Sequence, residues 1–379
     1  MLGTIIVPFT EKVFGDHNYE VLTSSRNGIQ RQSEHFAGKQ RHDTDGYNII
    51  PRGYCTYRNR SDDGLFTFNM NNIVDEGIVS KFYPVFTFQN ANSTFMMEYL
   101  NGSPRVRAKL SVLAVGTSQV VLSFETLKET SFYLPTFEEQ NRIAALLSTL
   151  NERIEKQRLL IEHLKKYKRG AIEAIFNRTI SFSSDTQDSW KEFRLGEFAR
   201  RITRKNGQTT DIPLTISAQH GLIDQREFFS KTVASSDMSG YYLLHKGEFA
   251  YNRSTSSEYP YGSIKRLDKY DKGAVSTLYL CFEANEKIME SDFIMWYFES
   301  SRWHNGVREI CAEGARNHGL LNVPTAGFFD TVHYLPSNKA EQKQIAAFLS
   351  SLDERYTRAF SELEELNKLK RGLYQSLFI

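Results

Sequence analysis

The sequence predicts an α+β protein in which two mixed α/β globular halves are separated by a long antiparallel coiled coil of two helices, with a pseudo-two-fold internal repeat. Three observations predict it. A helical pattern of 38 residues occurs twice, at 139–176 and 341–378. An apolar spacing of alternating four and three residues runs through both copies. The stretches ahead of each copy read as short β-branched or aromatic strands between clusters of Gly, Asn, Asp and Ser.

At 379 residues the chain is too long for one core and points to two or three domains. A hydrophobic share of 40% with 24% charged residues excludes wholesale disorder. Forty-seven basic residues against 45 acidic ones leave a net charge of +2, so only the local placement of charge can indicate a polyanionic partner. Cys55, Cys281 and Cys311 lie far apart without a CxxC pair, which points to neither a disulfide framework nor a zinc site and fits a reducing compartment. The first residues lack a basic start followed by a long apolar run, and no window approaches 18 uninterrupted apolar residues, so neither secretion nor membrane spanning is expected. A cytoplasmic location follows.

Taken in chain order, residues 1–134 form the first globular half and 135–178 the first helix. Residues 179–189, polar and rich in Ser and Thr, form the linker. The second globular half is 190–335 and the second helix 336–379. Roughly 17 of the 38 repeated positions are identical, against about one in seventeen by chance, and only duplication accounts for that. Tyr133-Leu134-Pro135 and Tyr334-Leu335-Pro336 precede the two copies, each Pro stopping a strand and opening the helix. Weaker echoes pair 24–36 with 217–229 and 46–57 with 240–251, the latter each followed within a few residues by Asn-Arg-Ser. Phe82–Phe88, Val112–Val115, Tyr241–Leu244 and Leu278–Phe282 read as strands. Phe293–Phe298 reads as a buried helix with Phe95–Leu100 as its counterpart, and Gly46, Gly53, Gly240 and Gly247 as turn-makers.

The helical seam is Ile143, Leu147, Leu150, Ile154, Ile161 and Leu164 in the first copy, and Ile345, Leu349, Leu352, Tyr356, Leu363 and Leu366 in the second. A heptad of this length is unstable as a lone helix in water, and the nearest equal partner is the other copy. A compact linker turns the second helix back along the first. About 34 residues make a rod of about 51 Å, roughly 15 base pairs of duplex. Lys168 and Lys370 fall on the seam, where their stems are expected to pack while the ammonium groups reach water.

No GxGxxG after a strand, GxxxxGK[ST], HExxH or GxSxG occurs, and the nine His do not cluster with Asp or Cys at metal spacing. The chain therefore reads as a non-enzyme. What it offers is polar and aromatic side chains interleaved in loops. In the first half these are Arg26, Asn27, Gln30, Arg31, Lys39, Arg41, Tyr57, Arg58, Asn59 and Arg60. In the second they are Gln219, His220, Arg226, Tyr251, Asn252, Arg253, Ser254, Lys265, Arg266, Arg316 and Asn317. Arg can chelate guanine O6 and N7, Asn and Gln can chelate adenine N6 and N7, and Lys and Ser can hold phosphates, so the set suits double-stranded DNA.

The tandem order, with Leu134-Pro135, Glu139-Gln140 and Ile143-Ala144 repeated as Leu335-Pro336, Glu341-Gln342 and Ile345-Ala346 and both helices carrying Lys-Arg-Gly, resembles the specificity subunit of type I restriction–modification systems. The resemblance implies that each globular half is a target recognition domain reading one half of a bipartite asymmetric site. It implies that the helices set the spacing and dock two methylation subunits, with restriction and translocation subunits joining the full complex. S-adenosylmethionine, ATP and Mg then belong to those partners and the chain itself carries no cofactor. The first half offers only Leu2-Gly3 where the second opens on Trp190, Lys191, Leu195 and Gly196, so its leading strand is expected to be reduced. The competing reading is a stand-alone pseudo-symmetric DNA-binding repressor without methyltransferase partners; a hidden nuclease or methyltransferase site is a third.

Overall fold

The computed structural model describes residues 1–35, 43–117, 119–182, 189–217, 221–228, 237–311 and 319–378. It divides into two compact units, one formed by residues 1–160 with 359–379 and the other by 161–358. Each unit thus takes one segment from each long helix.

In the first unit the strands are β1 (Ile6–Phe9), β2 (Glu20–Ser25), β3 (Gly28–Arg31), β4 (Asn48–Pro51), β5 (Cys55–Tyr57), β6 (Arg60–Ser61), β7 (Phe68–Met70), β8 (Glu76–Val79), β9 (Val85–Phe88) and β10 (Val120–Val121). They form one sheet ordered β1-β9-β5-β7, a second ordered β3-β2-β8-β4, and the pair β10-β6. The second unit holds β11 (Trp190–Arg194), β12 (Ala199–Ile202), β13 (Leu214–Ser217), β14 (Gly221–Asp224), β15 (Tyr242–His245), β16 (Phe249–Asn252), β17 (Ser263–Arg266), β18 (Lys272–Val275), β19 (Leu280–Ala284) and β20 (Val332–Pro336). Its main sheet is ordered β12-β19-β16-β17, beside the pairs β13-β14, β15-β18 and β11-β20.

The main sheets therefore repeat one topology, with β1, β9, β5 and β7 matched by β12, β19, β16 and β17. Small residues mark the repeat as well. A Cβ on Gly77 of β8 would stand 2.7 Å from a methyl of Leu22, and one on Gly273 of β18 would stand 2.3 Å from a methyl of Leu214, so in both units a side chain could enter only if that leucine moved. Gly53 and Gly247, with φ of +80° and +89°, make the turns between β4 and β5 and between β15 and β16. The asymmetry at the front is also present. β11 pairs with β20, whereas the first unit begins with a single 3₁₀ turn at Leu2–Thr4 held by Leu2 N–H on Thr130 O.

The helices of the first unit are α1 (Gln32–His35), α2 (Ser93–Gly102), α3 (Pro104–Leu113), α4 (Phe124–Glu129) and the opening of α5 (Phe137–Phe176). The second unit carries α6 (Leu195–Phe198), α7 (Gln225–Phe228), α8 (Ser291–Phe298), α9 (His304–Ile310), α10 (Thr325–Asp330) and the opening of α11 (Lys339–Leu377). The repeated Glu-Gln pair explains how each long helix is launched. Gln140 is buried, donates to Pro135 O at 2.9 Å and accepts from Asn92 N–H at 2.9 Å, and Asn92 is the residue that caps α2. Gln342 repeats this, donating to Pro336 O at 2.8 Å and accepting from Glu290 N–H at 2.8 Å at the start of α8. The glutamates diverge. Glu139 closes a reciprocal cap with Thr136, accepting from its N–H at 2.9 Å and its hydroxyl at 2.7 Å, whereas Glu341 accepts from the Trp190 indole at 3.0 Å and from the Ser189 hydroxyl.

Gln342→Leu should therefore destabilise the second unit by at least about 2 kcal/mol, because it strands a buried N–H and a buried carbonyl, each worth about 1–3 kcal/mol. Urea unfolding that moved by less than 1 kcal/mol, on the order of one hydrogen bond, would deny the anchor.

Within the first unit Leu150, Ile154 and Leu366 form a cluster, Arg153 pairs with Glu362 at 2.7 Å, and Gln157 donates to Ala359 O at 2.8 Å. Residue numbers rise on one helix as they fall on the other, so the segments run antiparallel. Within the second unit Lys168 meets Asp353 at 2.6 Å and its ammonium lies 5.0 Å from the centroid of the Tyr356 ring. Lys168 is thus paired rather than merely reaching water, since a partly buried ammonium is stabilised by a carboxylate.

The outer seam positions do a second job. Leu147 joins the first unit's core with Phe378, while Ile345, Leu349 and Leu352 join the second unit's core with Ala171, Ile172, Ile175 and Phe176. Pairing with the other helix and packing on a globular unit are combined along one seam, because the aromatic-rich α2 and α8 each supply apolar surface that segments of both long helices reach.

Two strand expectations are corrected. Val112 ends a helix rather than a strand, since Ser103 caps α3, accepting from Val106 N–H at 3.3 Å, Pro104 opens it, and Val106 and Leu110 fill one buried face. The strand expected from Phe82 begins only at Val85, after a turn closed by Tyr83 N–H on Ser80 O at 2.8 Å. Of the linker, residues 183–188 lie outside the described residues.

Candidate nucleic-acid interface

The sequence-selected residues separate into three groups. Lys39, Arg41, Gln219, His220, Arg316 and Asn317 lie outside the described residues. A second group is structural. Tyr57 and Tyr251 are fully buried, their hydroxyls donating to Leu122 O at 3.0 Å and Tyr261 O at 2.7 Å, and burial raises both phenols well above the usual range. They are core residues, and the assignment of either to a DNA contact is corrected. Lys265 pairs with Glu299 at 2.5 Å, and Arg266 meets Asp268 at 2.7 Å and Asp292 at 2.8 Å, with side chains only 10% and 12% exposed. These two cations hold β17 against its neighbours and are corrected likewise. Arg253 turns inward, its guanidinium donating to Leu278 O at 2.9 Å and Val323 O at 3.4 Å. Asn252 accepts from Ser254 N–H at 3.0 Å, so in the second unit the Asn-Arg-Ser motif ties loops together.

The third group faces solvent. On the β2–β3 hairpin, Asn27 is exposed at the tip and Gln30 accepts from the Ser25 hydroxyl at 3.2 Å. Arg26 pairs with Asp63 at 2.6 Å. The Ser61 hydroxyl first, and Arg26 next, hold the Asp63 carboxyl down at about 2. Arg31 pairs with Glu20, whose hydrogen bond raises the guanidinium further, and with Glu34 at 3.7 Å. In the second unit Arg226 grips Asp224 through two nitrogens, at 3.0 and 2.6 Å. These cations are matched to acids of the same surface.

Arg58 and Arg60 are exposed and, among the described residues, without such matching. With Asn59, Ser80, Phe82 and Tyr83 they line a cavity of about 210 Å³ at the turn between β8 and β9. The sequence reading missed Ser80, Lys81, Phe82 and Tyr83, because an apolar-rich run ahead of a strand gives no sign of where the turn ends; Pro84 was the available signal. It also passed over Arg105 and Arg107, both exposed on α3.

Among the described residues no group of three or more His, Cys, Asp or Glu is placed to hold a metal ion, and no helix is long and apolar enough to cross a membrane. Burial pushes the Cys55 and Cys281 thiols up to about 12, which disfavours the thiolate a nucleophile needs.

Residues 15–163 match the family described as the type I restriction modification DNA specificity domain. The fold is similar over 100% of this chain and 95% of the other to the crystal structure of the type I restriction–modification system S subunit from M. genitalium, with a TM-score of 0.60 at 14% identity. A chain from a structure of complex assembly and conformational transition of the type I R-M system aligns over 100% of this chain and 96% of its own, with a TM-score of 0.54 at 15% identity.

Proposed function

We propose that this chain, a DNA sequence-recognition protein of the type I restriction–modification specificity-subunit kind, reads a bipartite asymmetric site, one half with each unit. The observation that carries the reading is the contrast between a repeated scaffold and unlike surfaces. The strand order of the main sheets, the close-packed glycines and the Gln140 and Gln342 anchors recur in both units, while among the described residues the polar groups offered to solvent do not. A duplicated frame bearing two different readers serves an asymmetric site. The family match supports DNA as the ligand, and because that family is a restriction–modification one it leaves the stand-alone repressor disfavoured.

In this reading the chain is not catalytic. Two methylation subunits dock along the long helices, and methyl transfer with S-adenosylmethionine, like ATP- and Mg-dependent translocation and cleavage, belongs to partner subunits. A cytoplasmic location accompanies that role.

The test is a map of methylated adenines in cells carrying the chain with its methylation subunits. A split motif of two unlike halves is expected, and an undivided or palindromic motif would refute the reading. The helices would also set the unread gap. Deleting residues 154–160 and 356–362, one heptad from each, removes about 10 Å and should shorten the gap by about three base pairs; an unchanged gap would show that the helices do not measure it.

A further inference from the structure

Several cations on the first unit's surface are tied to a carboxylate: Arg26 to Asp63, Arg31 to Glu20, Arg52 to Asp75. Arg58, Arg60 and Lys81 differ, since among the described residues none of them has an ion-pair partner. Arg60 and Lys81 gather on one ring. Phe82 is 54% exposed, with the Arg60 guanidinium 5.4 Å and the Lys81 ammonium 5.7 Å from its centroid, and Arg58 joins Arg60 and Phe82 on the cavity wall. Like charges brought together repel unless a counter-charge arrives, and an exposed aromatic ring among them gives a flat apolar platform inside a positive field. Asn59, a residue of its wall, also has a buried Oδ1 that no donor among the described residues reaches, although buried acceptors are normally paired.

The second unit has no such feature at the corresponding motif, because Arg253 spends its guanidinium on Leu278 O and Val323 O. The arginine of the same motif is thus a structural tie in one unit and open in the other.

We propose that this cavity is where the first unit reads its half of the site, with Arg58 specifying a guanine through O6 and N7, Phe82 packing against the adjoining base, and Arg60 and Lys81 holding phosphate. The chemistry favours guanine because an unengaged guanidinium presents two parallel N–H groups to two acceptors. Phosphate contacts alone would fix position without selecting sequence. The inference rests on the DNA-reading function proposed above.

The experiment maps methylated adenines in cells carrying the full chain and its methylation subunits, comparing wild type with Arg58→Ala and Arg58→Lys. Arg58→Ala should make one G·C position degenerate in one half of the motif, lowering discrimination there by roughly 5- to 150-fold, with the other half unaltered. Arg58→Lys, which keeps the charge but loses the fork, should lie between. A split wild-type motif that Arg58→Ala leaves unchanged, or loosens in both halves alike, would overturn the inference while leaving the DNA-reading function standing. A wild type without a split motif would remove both. Should Arg58→Ala abolish methylation with its melting temperature unmoved, Arg58→Lys decides: a position relaxed in one half supports the assignment, and a wild-type motif refutes it.

Discussion

Phe378→Ala is expected to destabilise the first unit by about 3–5 kcal/mol, the usual range for deleting a buried aromatic side chain. The ring is 4% exposed and lies 5.9 Å from Phe95, 5.4 Å from Tyr99 and 5.5 Å from Tyr374, centroid to centroid. Its neighbours come from α2 and α11, so removing it opens a cavity where those helices meet the unit's core. The hydroxyl of Tyr374 also donates to Glu98, whose other carboxylate oxygen accepts from Asn151 at 2.7 Å, so α2, α5 and α11 are joined at one carboxylate. Stepwise urea unfolding should show the loss in one transition only. Phe360→Ala is the control, since that ring is exposed, and it should stay within about 0.5 kcal/mol. Equal effects of the two variants would show that the contact at Phe378 is incidental.

Acid should weaken the second unit through His333. The imidazole is buried, and burial holds its pKa down at about 4. Its tautomer follows from its neighbours. Thr331 uses its hydroxyl hydrogen on Phe328 O at 2.7 Å, so the 2.8 Å contact between Thr331 Oγ1 and Nε2 requires Nε2–H as donor. Nδ1 then accepts from the Tyr297 hydroxyl at 2.8 Å. Protonation would place a charge in an apolar pocket and a second donor against that hydroxyl. Because the folded pKa lies below the unfolded one, the stabilisation is complete above about pH 6.5 and is lost as the pH falls toward 4. The slope approaches about 1.4 kcal/mol per pH unit and the sum is about 3 kcal/mol. His304, whose pKa burial also lowers, adds a change of the same sign. His333→Gln should be less stable than wild type at pH 7, and the gap between them should narrow by about 2–3 kcal/mol by pH 4.5. A gap that stayed constant with pH would mean that His333 does not titrate with unfolding.

The seam was legible in the sequence because a period of 3.5 residues needs no tertiary information. Leu147, Leu150, Ile154, Ile345, Leu349 and Leu352 are all buried where the spacing puts them. Burial of Tyr57 and Tyr251 was not legible. A tyrosine followed by Asn, Arg and Ser looks like loop polarity, and only the sheet order shows that β5 and β16 are central strands. Arg253 and Arg60 teach the same lesson in reverse: one motif gives an internal tie or an open cation according to whether backbone carbonyls such as Leu278 O stand within reach. Val112 was misread because β-branched residues mark strands on average, whereas the Ser103-Pro104 start had already committed that stretch to a helix. Lys81 and Phe82 escaped notice because their role depends on Arg60, which lies on a strand remote in sequence.

The first unit is completed only by residues 359–379, with the roughly 200 residues of the second unit made in between. At about 5–20 residues per second a ribosome needs about 10–40 s for that interval. During it the newly made amino-terminal portion waits with Phe95 and Tyr99 lacking their Phe378 cover, exposed to chaperones and proteases. Polypeptides that stall before Phe378 lack that cover on Phe95 and Tyr99.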